Sequence, residues 1–303
     1  MGSTRSTFRL KGHTDTWKCT RSPWIPTATS TAPTTSTRVS KSSCPRRASI
    51  GTCWWGSRTG GVERRLPLSN LEILAYETTP LGDLCLRRRE LLSRPGTVIT
   101  EITLDHQLLM SSYNTVSERA LANEALARHP GNDLSVLVCG LGLGYTVAEV
   151  LQSRRIKRVE VIEIFSAVVG FLEGGLIPLS AELLNDPRFG VSEGDAYATL
   201  REPTGPRWDL VLIDIDHAPD DHLGPGNESF YTESGLARAK EHLAPGGILA
   251  VWSYAENSPF VSALRAAFAV VELVPVSYLN DLVDEQHTDW LFLAHDEPAT
   301  RDA

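Results

Sequence analysis

Nowhere does the chain run apolar for the roughly 20 residues that crossing a bilayer takes, and its first residues lack the apolar segment of a secretory signal. The expectation is a cytoplasmic protein with no membrane partner. Cysteine is sparse as well: Cys19, Cys44, Cys53, Cys85 and Cys139 show neither Cys-x-x-Cys spacing nor paired histidines, which argues against zinc and against a disulfide framework. Cys85 and Cys139 fall in apolar, strand-like runs and read as small buried hydrophobes.

Acidic residues are nearly missing from one end. Residues 1–65 hold only Asp15 and Glu63 against twelve Lys and Arg, about +10, so the overall −8 leaves about −18 on the remainder. This leader, residues 1–66, is rich in Ser, Thr and Arg and carries neither a 2-residue nor a 3.6-residue apolar period. Three readings of it stay open: disorder, since too little apolar surface offsets the entropy of ordering; an organelle transit peptide; or an artefactual extension from a misassigned start. The strongly acidic remainder disfavours nucleic acid, whose phosphates need a basic face, and favours small cationic partners, so no nucleic-acid partner is expected.

What is present begins at residue 67. "LEILAYETTPLGDLCLRRREL" and "GTVITEITLDHQLLM" alternate apolar with polar residues and break at Pro80-Leu-Gly and Pro95-Gly, predicting a small antiparallel β-domain over 67–112. "SERALANEALARHPGN" predicts a helix capped by Ser117 and stopped near Pro130. From there strands and helices alternate, with strands expected at 135–139, 158–162, 189–192, 209–213, 247–252, 270–275 and 290–294. That rhythm predicts an α/β domain over 113–296, a doubly wound, seven-stranded Rossmann-like sheet, followed by a tail at 297–303.

Ligands of such sheets sit beyond the carboxyl ends of the strands. Those ends carry Gly140-Leu-Gly-Leu-Gly144, Glu163, Gly194-Asp195, Asp214-Ile-Asp216 and Ser253-Tyr-Ala-Glu256. The glycines fall at first, third and fifth places, unlike the first, third and sixth of the dinucleotide fingerprint, so the motif alone is weak evidence, and tight strand–helix packing is an alternative reading of Gly140, Gly142 and Gly144. Glu163 stands 23 positions on, where a ribose diol would be hydrogen-bonded in either an NAD or an adenosyl site. Asp195 is placed to accept from an adenine amino group or, alternatively, to cap a helix.

From about 71 to 294 these pieces together resemble the spermidine synthase family of polyamine aminopropyltransferases. "VLVCGLGLG", "VEVIEI", "GDA", "DLVLIDIDHAP" and "FYTESGLARAKEHLAPGGILAVW" match its motifs in order, and "LDHQ" at 104–107 is similar to its Leu-Asp-Gly element. The resemblance implies a methyltransferase-type fold behind a small β-domain. It implies transfer of an aminopropyl group from decarboxylated S-adenosylmethionine to an amine such as putrescine. Gly140, Gly142, Gly144, Glu163, Gly194 and Asp195 would then hold the donor, and Asp214 would be the amine binder and general base. Asp216, two residues on, would face the same way if the strand geometry persists and would help hold the cationic aminopropyl group.

The departures fall mainly on the acceptor side. The family's Asp-Ser-Ser-Asp-Pro is here Asp214-Ile-Asp-His-Ala-Pro219, the internal aspartate of its glycine motif is Leu143, and its tyrosine before a glutamate is lost although Glu118 remains. Tyr113 is a candidate substitute. Asp220, Asp221, Glu256, Asp281, Asp284 and Glu285 read by default as a solvated surface and are otherwise candidates for a rebuilt acidic acceptor pocket. A methyltransferase using S-adenosylmethionine is the competing activity and a non-catalytic nucleoside-binding protein a third. His217 and His222 lack a metal-ligand pattern, so no metal is expected. Members of the family are often homodimers, though no interface stripe is readable in this chain.

Overall fold

A computed structural model of the chain describes residues 70–202 and 205–296. The expectations for the leader and for the 297–303 tail lie outside those residues. A four-stranded antiparallel sheet comes first, in the order β1 (Leu71–Thr79), β2 (Gly82–Glu90), β3 (Val98–Leu104) and β4 (Gln107–Ser111). Leu104 pairs with Gln107 across Asp105 and His106, both at positive φ, the geometry of a two-residue hairpin turn.

The helix expected from Ser117 is α1 (Val116–Arg128), and its N-cap is Thr115, with no side-chain bond to the first turn. Ser117 instead lies inside the helix and is buried. Next come β5 (Leu134–Cys139), α2 (Tyr145–Gln152), β6 (Ile156–Glu163), α3 (Ser166–Glu173), α4 (Ser180–Asn185), β7 (Phe189–Glu193), α5 (Ala196–Arg201) and β8 (Trp208–Ile213). The chain continues through α6 (Glu233–Glu241), β9 (Leu243–Ser253), α7 (Ser258–Ala267), β10 (Val270–Asn280) and β11 (Glu285–His295).

Seven strands form one sheet in the order β10-β11-β9-β8-β5-β6-β7. β5 pairs in parallel with β6 and β8, and β11 runs antiparallel between β9 and β10. The order turns back at β5, so a crevice opens beyond β5 and β8. The unbroken apolar run of β5 follows from burial on both faces: Val136 and Val138 enter one hydrophobic cluster, Leu137 and Cys139 the other. Leu210 and Leu212 of β8 divide from Val211 and Ile213 in the same way.

All seven strands expected from the alternation are present. β10 runs five residues past the expected end at Pro275, which pairs with Trp290. Proline is tolerated there because β10 is an edge strand, with a free side on which its missing N–H is not needed.

Candidate functional site

The turn after β5 is built around close approaches. Gly140, at φ 94°, sits where a Cβ would come within 2.2 Å of the Asp214 carbonyl oxygen, so glycine here lets the ends of β5 and β8 meet. Gly142, at φ 51°, makes room for the Met110 sulfur of β4, which a Cβ would meet at 2.7 Å. Leu143 is fully buried and anchors the turn. Its N–H points at that same sulfur at 3.1 Å. Gly144 is the N-cap of α2 and supplies the left-handed residue that turns the chain into the helix.

Glu163, the last residue of β6, is buried and holds this turn. Its carboxylate accepts from the Leu141 N–H at 2.8 Å and the Phe165 N–H at 2.9 Å. Burial pushes its pKa up, and the amides of Phe165, Leu141, Gly142 and Ile164 oppose that rise. At the end of β7, Asp195 caps α5 by accepting from the Ala198 N–H at 2.9 Å. Capping engages one oxygen, and the residue still borders the central cavity, so the two sequence readings of Asp195 are compatible.

Asp214 follows β8. Its N–H donates to the Cys139 carbonyl at 2.9 Å, and its carboxylate accepts from the Thr146 hydroxyl at 2.7 Å. Burial raises its pKa to about 6, with the Thr146 bond opposing and the charge of Asp289 adding to the rise. Glu118, from the first turn of α1, is pushed up to about 8 by burial, then by Asp214 and Asp289. Asp289 of β11 is buried beside Ser117, Tyr278 and Trp252, and burial raises its pKa too. Three carboxyl groups thus crowd one corner.

Asp216 departs from expectation. It does not share a face with Asp214, because the strand ends at Ile213 and the chain turns. It is 2% exposed and is absent from the cavity wall. Its Oδ2 accepts from Tyr197 at 2.9 Å and Tyr231 at 3.0 Å, and its Oδ1 from the Leu223 N–H at 2.8 Å and the Asn227 side-chain amide at 2.9 Å. Both of its oxygens are used inside the protein.

The elements enclose a cavity of about 270 Å³ beyond the strand ends, walled by Gly140, Glu163, Asp195, Asp214 and Glu118, with Leu81, Ile102, Leu109 and Met110 entering from the small sheet. Its described lining holds four carboxyl groups and no lysine or arginine. Asp220, Asp221, Glu256, Asp281, Asp284 and Glu285 do not border it. Asp281 instead accepts from Arg94 and from Tyr113, and Tyr113, the candidate substitute tyrosine, does not border the cavity either. Among the described residues no cluster of three or more His, Cys, Asp or Glu is placed to hold a metal ion, and no helix is long and apolar enough to cross a membrane.

Thr146, Asp289, Tyr278 and Trp252 were not read from sequence as site residues. Asp289 and Tyr278 come from a hairpin whose strand pattern alone does not reveal which carboxylate points inward. Thr146 lies two residues past the glycine turn, and that position is the signal that could have found it.

Residues 114–271 match the Spermine/spermidine synthase domain. The chain is 28% identical to the polyamine aminopropyltransferase of Synechococcus sp. over 216 residues, 66% of this chain and 64% of that protein. It is 30% identical to putrescine N-methyltransferase 2 of Nicotiana tabacum over 118 residues, 39% of this chain and 32% of that one. The chain therefore spans less than two thirds of the length of these curated relatives. A crystal structure of spermidine synthase with the transition-state analogue AdoDATO superposes with a TM-score of 0.60 at 16% identity, covering 74% of each chain. Spermidine synthase from Thermotoga maritima gives 0.58 at 16% identity, covering 74% and 73%. These structural likenesses establish the fold.

Proposed function

Since the chain belongs to the spermine/spermidine synthase family, we propose that it transfers an aminopropyl group from decarboxylated S-adenosylmethionine to a small amine such as putrescine. The observation that carries this reading is the charge of the cavity: four carboxyl groups line it and no lysine or arginine does. Decarboxylated donor and amine acceptor are both cations. The α-carboxylate of S-adenosylmethionine, placed about 5 Å from one ionised acid, would cost on the order of 3 kcal/mol at an effective dielectric of 20, roughly two orders of magnitude in affinity.

Gly140, Gly142 and Gly144 admit the nucleoside close to the backbone, with Glu163 beside the ribose and Gly194-Asp195 beside the adenine. Asp214 accepts one proton from the acceptor's ammonium. The freed lone pair forms a bond to the aminopropyl carbon next to sulfur, the carbon–sulfur bond breaks, and its electrons return to sulfur. Neutral methylthioadenosine leaves. An ordinary aspartate near 3.9 is about six units below an alkyl ammonium near 10.4, and a pKa of about 6 narrows the gap by about two. Glu118 borders the cavity with Asp289 packed beside it, and a bound cationic acceptor favours ionisation of these acids, which burial otherwise holds toward the neutral form.

One observation favours a second reading, methyl transfer from S-adenosylmethionine to the amine. Asp216 is turned away from the cavity, so one acid expected to repel the methionine carboxylate is missing, and the similarity to a putrescine N-methyltransferase points the same way. Incubation of the protein with putrescine and each donor, followed by mass spectrometry, decides between them. Methylthioadenosine and an aminopropylated amine are expected. S-adenosylhomocysteine and a methylated amine would replace the first reading by the second.

A further inference from the structure

We propose that Asp216 is a positioning residue: it fixes the 217–227 segment as the roof of the cavity and does not contact substrate. The proposal rests on the reading of that cavity as an adenosyl-donor site. Leu223, Gly224, Pro225 and Asn227 all border the cavity, yet the 217–227 stretch holds no strand, only the Ala218–Asp221 bridge and the start of one short 3-10 turn. An irregular roof needs its order from side chains.

Asp216 supplies it from below. One of its oxygens takes the Leu223 N–H and the Asn227 amide, which are the roof, and the other takes the phenols of Tyr197 and Tyr231, which belong to the buried core. Tyr197 is 2% exposed and packs at 4.7 Å between ring centroids against Phe230, while Tyr231 packs edge-on to Phe260. The roof is thereby tied through one carboxylate to a rigid aromatic cluster. Tyr197 also borders the cavity, so the same group that holds the roof is bonded to a second part of the cavity wall. A carboxylate is suited to this junction because it accepts four hydrogen bonds at once, which an amide side chain does not.

A roof of this kind acts through the fraction of molecules in which it is closed. If loosening cuts that fraction tenfold, every ligand covered by the roof loses about tenfold in affinity, whatever its charge. A direct contact to the donor's ammonium would instead spare any ligand without that ammonium.

The test uses the full chain with Asp216→Asn, Asp216→Ala and the milder Tyr231→Phe. Hydrogen exchange is expected to quicken in the 217–227 segment of the variants, with β5 and β8 unchanged. Calorimetry is expected to show matched losses for decarboxylated S-adenosylmethionine and for neutral 5′-methylthioadenosine, smaller in Tyr231→Phe. A loss confined to the charged donor would overturn the proposal and make Asp216 a direct ligand. Unchanged exchange in the segment would overturn it as well. If the unaltered protein binds neither nucleoside, the donor-site reading itself fails, and the exchange result still reports on the clamp.

Discussion

The Thr146 hydroxyl donates to the Asp214 carboxylate at 2.7 Å, joining the first turn of α2 to the end of β8. This bond stabilises the ionised form of an aspartate that burial otherwise pushes toward neutrality. It therefore tunes the group to which we assign proton removal.

Asp214→Asn removes the base and leaves the strand end intact. Its kcat should fall by about 10²–10⁴, the usual worth of a positioned base, while nucleoside affinity stays within about threefold. Steady-state kinetics beside calorimetry measures both, and comparable turnover in the variant would remove Asp214 from the mechanism. Thr146→Val deletes the opposing bond. The acidic limb of its kcat/KM profile should move above the value near 6 of the unaltered protein.

Stability should decline as pH rises from about 5 to 8. Asp214 goes from 3.8 unfolded to about 6 folded and Glu118 from 4.5 to about 8, so across that window the folded chain holds protons that the unfolded chain has lost. The sign is opposite to that of a salt-bridged acid, whose contribution is lost as pH falls. Thermal melting should show the decline, and Glu118→Gln should flatten it above pH 6. An equal slope in the variant would contradict the crowding of Glu118 with Asp214 and Asp289. Saturating putrescine should also reduce the slope, because a bound cation favours the ionised acids.

Among the glycines, Gly140→Ala should harm more than Gly142→Ala. Both positions have positive φ, which costs a non-glycine residue about 1–2 kcal/mol, but the Cβ at 140 meets rigid backbone at Asp214 and the one at 142 meets the flexible end of Met110. Melting should rank them in that order, with activity nearly lost in the first because the Asp214 peptide is displaced.

Glu163→Gln should weaken nucleoside binding. The amide would turn its NH2 toward one of the Leu141 and Phe165 N–H groups, each of which now has its own carboxylate oxygen, loosening the glycine turn, and would remove the acid proposed to meet the ribose. Donor affinity equal to that of the unaltered protein would place the ribose elsewhere.

Most of the fold was legible because each central strand is a short apolar run set between helices, as in Val136–Cys139, whose alternate residues fill two opposite clusters. Asp214 and the glycine turn were legible for a related reason, being defined by where a strand stops. Asp216 was not: whether a side chain two residues past a strand end faces the cavity or the core depends on the turn after Ile213, which has no periodicity to read. The corner of three carboxyl groups was hidden differently. Glu118, Asp214 and Asp289 lie far apart in sequence and meet only through α1, β8 and β11, so nothing in the spacing sets Asp289 apart from the acids at 220–221 and 281–285.

The most direct test of the central claim is calorimetric binding of decarboxylated S-adenosylmethionine and of S-adenosylmethionine to the full chain, each with and without putrescine. An acid-lined cavity without lysine or arginine predicts tighter binding of the decarboxylated donor by about ten- to a hundredfold. Equal binding, or preference for the carboxylated form, would contradict it and leave the carboxyl groups around Asp214 serving the amine of a methyl-transfer reaction.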